Sequence, residues 1–395
     1  MSRGARKTES DQQQRAAAAL GLAYAALECS SAVLRLLKSH PPEEIWAARG
    51  SAALHGLGLG KLPAEHFASI RRGQRSTEQL LEALAAFRAA GIGFVPFGDP
   101  RYPPQLTDLS HPPAGLFAKG DLERLDDLLL TPRVTIVGTR RATAYGVRAA
   151  REFAAAFASR GMAVISGMAL GIDGRSHEAA LEARGLTMAV LGCGVDIVYP
   201  PLHSELYGRI VGKGLVMSEL PPGTGPSKWT FPNRNRLLAA LGDALLVVEG
   251  GVTSGAMQTA EQAAQLGRPV FALPGSIYAD GHRGCNLLIR DGATPAVDVE
   301  ATVEEFLLQT RIERGERRPP QPEGGEGRYF QDPLTDLAAA GREAILEALD
   351  DRAHSVDALV MRTGMAARRL TAALAELELA GLVTRAGPGL YIRAP

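Results

Sequence analysis

Six short apolar runs recur between Val134 and Gly275: "VTIVG", "MAVIS", "TMAVLG", "LVMS", "ALLVVEG" and "PVFALPG". Each ends in Gly or Ser, and a helical pattern follows. Near-continuous apolar strands alternating with amphipathic helices cannot form an open hairpin sheet. They need a parallel sheet covered on both faces, so the expected fold is α/β, doubly wound. Ligands of such sheets bind at the carboxyl ends of the strands, where most of this chain's Gly, Ser, Arg and Asn clusters fall. The binding site is expected there.

The segments around that alternation differ in kind. Residues 1–75 read as a small all-helical domain from spacing such as "AVLRLLKSH" and "EEIWAARGSAALHGL", interrupted by Gly56, Gly58 and Gly60. A helix-hairpin-helix DNA contact and a plain helical packing module both fit it. Residues 76–310 form the sheet domain and open on "STEQLLEALAAFRAAG", a helix capped by Ser76 or Thr77 and closed by Gly91. Residues 311–333, charged and rich in Pro and Gly, read as a flexible linker. In residues 334–395 three helical patterns precede "LVTRAGPGLYIR", two strands around Gly-Pro-Gly, which is a winged-helix plan. Its third helix offers Arg368 and Arg369 to a major groove, or serves a small interaction module.

Lys+Arg and Asp+Glu both number 43, so any nucleic-acid partner must be held by a local patch and not by a global field. Three dispersed cysteines, Cys29, Cys193 and Cys285, without a CxxC argue against a disulfide framework or zinc site and fit a reducing cytoplasm. "AAAALGLAYAAL" is too short to span a bilayer and follows a mixed-charge "TESDQQQR". A soluble, cytoplasmic protein is expected, with no membrane partner.

Several strand-end clusters bear on chemistry. "VTIVGTRRATAYG" stops at Gly138 and supplies Thr139 and Arg140 where a dinucleotide fold would continue with glycine. Backbone N–H groups there make an anion nest, and a guanidinium adds a planar fork suited to phosphate. "ISGMALGIDGRSHEAAL" ends its strand on Ser166 and Gly167, without the acid a nicotinamide ribose needs. Asp173 and His177 are either an acid–base pair or a helix cap and a packing residue. "LGCGVDIVYP" lacks the third glycine of a dinucleotide turn, and "GRIVGKG" has the wrong spacing for a P-loop.

"SKWTFPNRNRLLAALGDALLVVEG" interleaves Lys228, Arg234 and Arg236 with Trp229 and Phe231, and adds Asn233 and Asn235. Cations between aromatics suit single-stranded nucleic acid, with phosphates on the cations and bases on the rings. The alternative is a loop aromatic plugging the sheet end, with Arg234 or Arg236 paired to Glu249 or Glu219. "EGGVTSGAMQTAEQAAQLG" offers a second anion nest at Ser254 and Gly255, and "DGHRGCNLLIRDGA" places Asn286 on the last strand-end loop. No carboxylate pair, Ser-His-Asp order or metal cluster stands out, so no catalytic residue, metal or cofactor is expected.

Together and in order, "YPPQL", "PPAGLFAKG", "VGTRRATAYG", "SGMALGIDGRSHEAAL", "LGCGVDIVYPPLH", "SELPPGTGPSKWTFPNRNRLL", "VVEGGVTSGAMQTAEQA" and "ALPGSIYADGHRGCNLLIRDGA" resemble the DNA processing protein A family, DprA or Smf. The resemblance spans roughly residues 91–293. It implies an extended Rossmann-like domain, with a sterile-alpha-motif-like (SAM-like) N-terminal domain and a C-terminal winged helix. It also implies a homodimer without catalytic activity, which binds single-stranded DNA during natural transformation and loads a RecA-type recombinase onto it. The family's Gly-Ser/Thr-Arg turn falls on Gly138, Thr139 and Arg140, and its DNA-contacting lysine and stacking aromatic fall on Lys228 and Phe231. Ser176 and "GAMQTA" depart from the family pattern of Ala and Gly-Ser-Leu-x-Thr-Ala. One enzyme class stays open: "EGGVTSGAMQTAE" also resembles the turn of nucleoside-monophosphate phosphoribohydrolases, where Glu261 would be the catalytic acid.

Overall fold

The computed structural model describes residues 3–72, 75–313, 339–349, 354–363, 365, 370, 373–374, 377–378, 382–387 and 390–393. They fall into two compact units, Met1–Arg318 and Pro319–Pro395.

The first unit is built on a nine-stranded sheet. The six expected strands are β3 (Arg133–Val137), β4 (Ala163–Ser166), β5 (Thr187–Val190), β6 (Leu215–Ser218), β7 (Ala244–Val247) and β8 (Val270–Ala272), with β9 (Thr294–Pro295) added at one end. They pair parallel in the order β6-β5-β4-β3-β7-β8-β9. Two strands the sequence reading did not foresee, β1 (Ile92–Pro96) and β2 (Gly115–Gly120), extend the β6 side as an antiparallel hairpin. Pro96 closes β1 on the sheet's outer edge, where a missing N–H breaks no ladder.

Alternation along β3 sorts the core. Val134 and Ile136 face one side with α7 (Ala144–Ser159), α8 (Ile172–Glu182) and α13 (Val299–Glu313), through Phe153, Phe157, Ala180 and Phe306. Val137 faces the other with α10 (Thr230–Leu241), α11 (Gly255–Gln265) and α12 (Asp280–Arg290), through Leu237, Leu241, Ala260 and Cys285. Both faces are dry, as the unbroken apolar strands required. At the amino end of β3, Arg133 Nη2 reaches Asp243 Oδ1 at 2.8 Å, fully out of solvent. α13 also runs through Arg311–Glu313, so the sheet domain's last helix takes the first three residues read as linker.

Five helices precede the sheet: α1 (Arg3–Leu37, broken at Cys29), α2 (Pro42–Ala47), α3 (Ser51–Gly56), α4 (Lys61–Arg72) and α5 (Thr77–Ala89). Ser76 caps α5 in a capping box with Gln79, and Gly91 takes φ 69° to turn the chain into β1. Leu20, Leu22, Ile45, Leu54 and Phe67 join Phe117 of β2 and Ile210 of α9 (Ser204–Lys213) in one core cluster. The helices and the sheet thus share buried surface. The α3–α4 turn keeps Leu59 buried and leaves Lys61 and Leu62 exposed.

In the second unit, α14 (Ala339–Ala348) and α15 (Val356–Thr363) accompany a sheet of β10 (His354–Ser355), β12 (Leu390–Arg393) and β11 (Val383–Gly387). The expected hairpin is present, with β10 as a third strand. Arg368 and Arg369 lie outside the described residues, as does nearly all of the expected linker.

Candidate nucleic-acid interface

The chain leaves β3 toward β4, β5 and β6, then returns to place β7 on the other side of β3. The turns leaving β3 and β7 diverge, and a crevice opens between them at the carboxyl edge. A cleft of about 860 Å³ occupies it. Gly138, Thr139, Arg140, Lys228, Phe231, Arg234, Asn235, Ser254 and Gly255 all line this one cleft. Nine candidate residues from separate stretches of the sequence are therefore brought together.

The rim is cationic and bare. Arg140, Arg141 and Lys228 are exposed, and none of them forms an ion pair among the described residues. The Arg140 guanidinium carbon sits 5.2 Å from the centre of the Phe231 ring. Tyr199 packs on that ring as well, centroids 5.4 Å apart and planes tilted by 37°. Trp229, next to Lys228, is 81% exposed and plugs nothing.

The floor is buried and fully engaged. Arg234, 4% exposed, donates through Nη1 to Gly167 O at 2.7 Å and to Val190 O, tying the ends of β4 and β5. Burial lowers its guanidinium to about 10, and burial likewise raises the Asp173 carboxyl, which Arg234 partly offsets. Asp173 does not cap α8. It lies in the first turn and accepts from Ala169 N at 3.3 Å, while Gly171 precedes the helix. Asn235 Nδ2 donates to Gly255 O at 3.4 Å, linking α10 to α11. Arg236, from the same stretch, pairs with Glu219. Arg234 and Asn235 thus shape the cleft from below.

Three site expectations are corrected. The Ser166 hydroxyl is fully buried and donates to Ile136 O at 2.6 Å, so it cannot reach a ligand. Gly167 lines only a small side pocket beneath Phe231, where a Cβ would strike Arg234 Nη2 at 2.6 Å. Asn286 lies on α12 and not in a loop, and its amide clips both backbone groups of Gly275 at 3.0 and 3.2 Å. Ser166 and Asn286 spend their side-chain polar groups on backbone, and the Gly167 carbonyl is taken by Arg234.

The acid–base alternatives fail on geometry. Thr187 gives its only hydroxyl proton to Val164 O at 2.8 Å, so the His177 Nδ1–H must donate to Thr187 Oγ1 at 2.7 Å. His177 is fully buried and lines no part of the cleft, and burial lowers its imidazole to about 3. Glu261 is exposed on α11 outside the cleft, its carboxylate accepting from Gln265 at 3.5 Å.

The two turns that flank the crevice differ. At the amino end of α7, Thr143 caps the helix, accepting from Gly146 N at 3.2 Å. The buried carboxylate of Glu249 lies against the same turn, taking Thr143 N–H at 3.0 Å and the Thr143 hydroxyl at 3.2 Å. The nest expected to hold a ligand's anion already holds the protein's own. At the amino end of α11, Ser254 stands at the cap position in extended conformation, yet its side chain makes no cap bond. Its Oγ is buried without a partner among the described residues. Gly255 and Ala256 open that turn onto the cleft. Sequence reading gave no site role to Glu249 or Tyr199. Tyr199 follows β5 at the carboxyl edge, so the strand-end rule was the signal that marks it.

Residues 93–307 match the family model for DNA recombination-mediator protein A, and residues 331–389 match that of the DprA winged helix domain. The chain is 38% identical over 336 residues to the putative DNA processing protein DprA of Mycobacterium tuberculosis, covering 81% of this chain and 79% of that one. A solved structure of DNA processing protein A from Streptococcus pneumoniae superposes with a TM-score of 0.63 at 31% identity, over 73% of this chain and 96% of that one. That of Helicobacter pylori, reported for its single-stranded DNA binding mode, gives a TM-score of 0.50 at 30% identity, over 55% and 96%.

Proposed function

This chain belongs to the DNA recombination-mediator protein A family, and from that premise we propose that its crevice binds single-stranded DNA. One observation carries the reading: exposed cations without ion-pair partners among the described residues, Arg140, Arg141 and Lys228, line the cleft with the rings of Tyr199 and Phe231, and Trp229 stands exposed beside Lys228. Unpaired cations attract phosphates by releasing counterions, and aromatic faces accept any base. A groove of this make-up holds a polymer without reading its sequence. Ser254 and Gly255 extend it with the open turn of α11, where a further phosphate finds free backbone N–H groups and an unpartnered hydroxyl.

No bond is broken. Of the candidate acid–base groups only Asp173, 5% exposed, lines the cleft, while His177 is fully buried outside it and Glu261 faces away from it. The protein holds strands, protects them, and hands them as a homodimer to a RecA-type recombinase during natural transformation, with no cofactor. Among the described residues no helix is long and apolar enough to cross a membrane.

Equilibrium titration of the full-length protein with a single strand and with its duplex tests the reading. Tighter binding of the single strand, falling steeply with salt, is expected. Equal affinity for both would overturn it.

A further inference from the structure

Glu249 is the buried carboxylate that the cleft's chemistry leaves unexplained. It is 1% exposed and has no cationic partner within ion-pair distance among the described residues. Isolated buried carboxylates are costly unless fixed donors replace water. Here the donors are the N–H and hydroxyl of Thr143, at the positive end of the 16-residue α7. Space for the carboxylate is made on purpose: a Cβ on Gly146 would lie 2.1 Å from Glu249 Oε2, and one on Gly281 would lie 2.9 Å from Oε1. The backbone of Glu249 acts too, its carbonyl accepting Thr139 N–H at 2.7 Å. One residue therefore clamps both ends of the Thr139–Thr143 turn, and Arg140 stands between the clamps.

We propose that Glu249 is an internal anion that fills the phosphate subsite of the first strand-to-helix turn. In doing so it positions Arg140 for a strand in the cleft and denies that subsite to free nucleotides. The α7 turn is where a Rossmann-type sheet takes a cofactor's phosphates. A carboxylate already seated there repels a second anion. The Thr143 N–H and hydroxyl, donors a phosphate would use at this turn, are spent on that carboxylate. Glu249 is thus a positioning residue, acting on DNA through Arg140 and on small anions by occupancy. The inference rests on the single-strand reading for its first part only.

Full-length Glu249→Gln and Glu249→Ala test it with two readouts. The first is binding of a short oligothymidine at several salt concentrations. Both variants should weaken about tenfold or more, the worth of one charge-assisted hydrogen bond. Their slope of log K against log salt should flatten by ~0.7, one phosphate contact on a single strand. Added formate should restore part of the loss in Glu249→Ala. The second readout is phosphorus NMR of inorganic phosphate, whose line should broaden with Glu249→Ala beyond its width with wild type. Wild-type affinity, slope and phosphate linewidth in both variants would overturn the proposal. Should these variants not fold, Thr143→Val decides, because Thr143 is exposed and its loss leaves the carboxylate in place. A severalfold loss of oligothymidine affinity with a flatter slope is expected, and no change overturns the proposal. A wild type that binds no oligothymidine sinks the function proposed above, while the phosphate readout still tests Glu249.

Discussion

The rim of the cleft and its floor are made of the same residue types put to opposite uses. On the rim, Arg140, Arg141 and Lys228 keep their charges free in water. On the floor, Arg234 donates to two strand-end carbonyls, and the Asp173 carboxylate accepts from Ala169 N. A free cation releases counterions to DNA and adds little to stability, whereas a buried one adds stability and meets no phosphate. The two layers should therefore separate cleanly under mutation.

The largest effect should come from the floor. Arg234→Ala leaves Asp173 buried without its nearest guanidinium and frees Gly167 O and Val190 O. Leaving a buried carbonyl without its charged donor costs roughly 1–3 kcal/mol, and this variant strands two of them. Urea melts should show that loss, while Arg140→Ala and Lys228→Ala melt like wild type. Equal melts for all three would erase the distinction between the layers.

Acid attacks the buried interior as well. Burial holds His177 neutral down to about 3, against an ordinary value of 6.5. Between those pH values the unfolded chain carries one more proton than the native one, so stability falls as pH falls, by ~1.4 kcal/mol per unit for that proton. Asp173 works the other way: its raised carboxyl takes up a proton sooner in the native state, so stability is regained as pH falls through its folded value. His177→Gln is expected to be less stable than wild type at pH 7, for want of its ring's fit to Thr187. Its melts should lose less between pH 6.5 and 4. A parallel pH course in both proteins would mean that His177 is not buried neutral.

The difference between rim and floor also marks how far sequence could be read. Apolar runs closed by Gly or Ser required β3 to β8, and the strand-end rule pointed to nine candidate residues that line one cleft. What residue type could not reveal was exposure. Ser166, Arg234 and Asn286 carry the right chemistry at strand ends, but their partners are backbone groups 30, 67 and 11 positions away. In sequence Glu249 reads only as an arginine's partner. Its role appears only when β7 lies beside β3 and brings it to Thr143. β1 and β2 escaped because a hairpin at a sheet edge needs no long apolar run.

On the rim, rings and cations should part company. Phe231→Ala should cost ~1–3 kcal/mol of oligothymidine binding with the salt slope nearly unchanged, since a stacked ring releases no counterions. Arg140→Ala and Lys228→Ala should each flatten the slope by ~0.7 and weaken all sequences alike, because phosphates carry no sequence information. If both cation variants keep wild-type affinity and slope, the crevice is not the DNA site.

The smallest effect belongs to Ser254, which stands between the layers. A serine at a helix cap normally adds ~1 kcal/mol through its side chain, but Ser254 makes no cap bond, and its Oγ is buried without a partner. Removing an orphaned hydroxyl relieves a desolvation cost, so Ser254→Ala should leave the free protein as stable as wild type or slightly more so. In the complex the same hydroxyl is expected to meet a phosphate at the open turn of α11, a bond worth about 1 kcal/mol. Stability and affinity should then move in opposite directions in one variant, by thermal melt and by oligothymidine titration. A variant that loses stability and binds DNA as before would make Ser254 part of the floor, and the open turn of α11 would be no phosphate site.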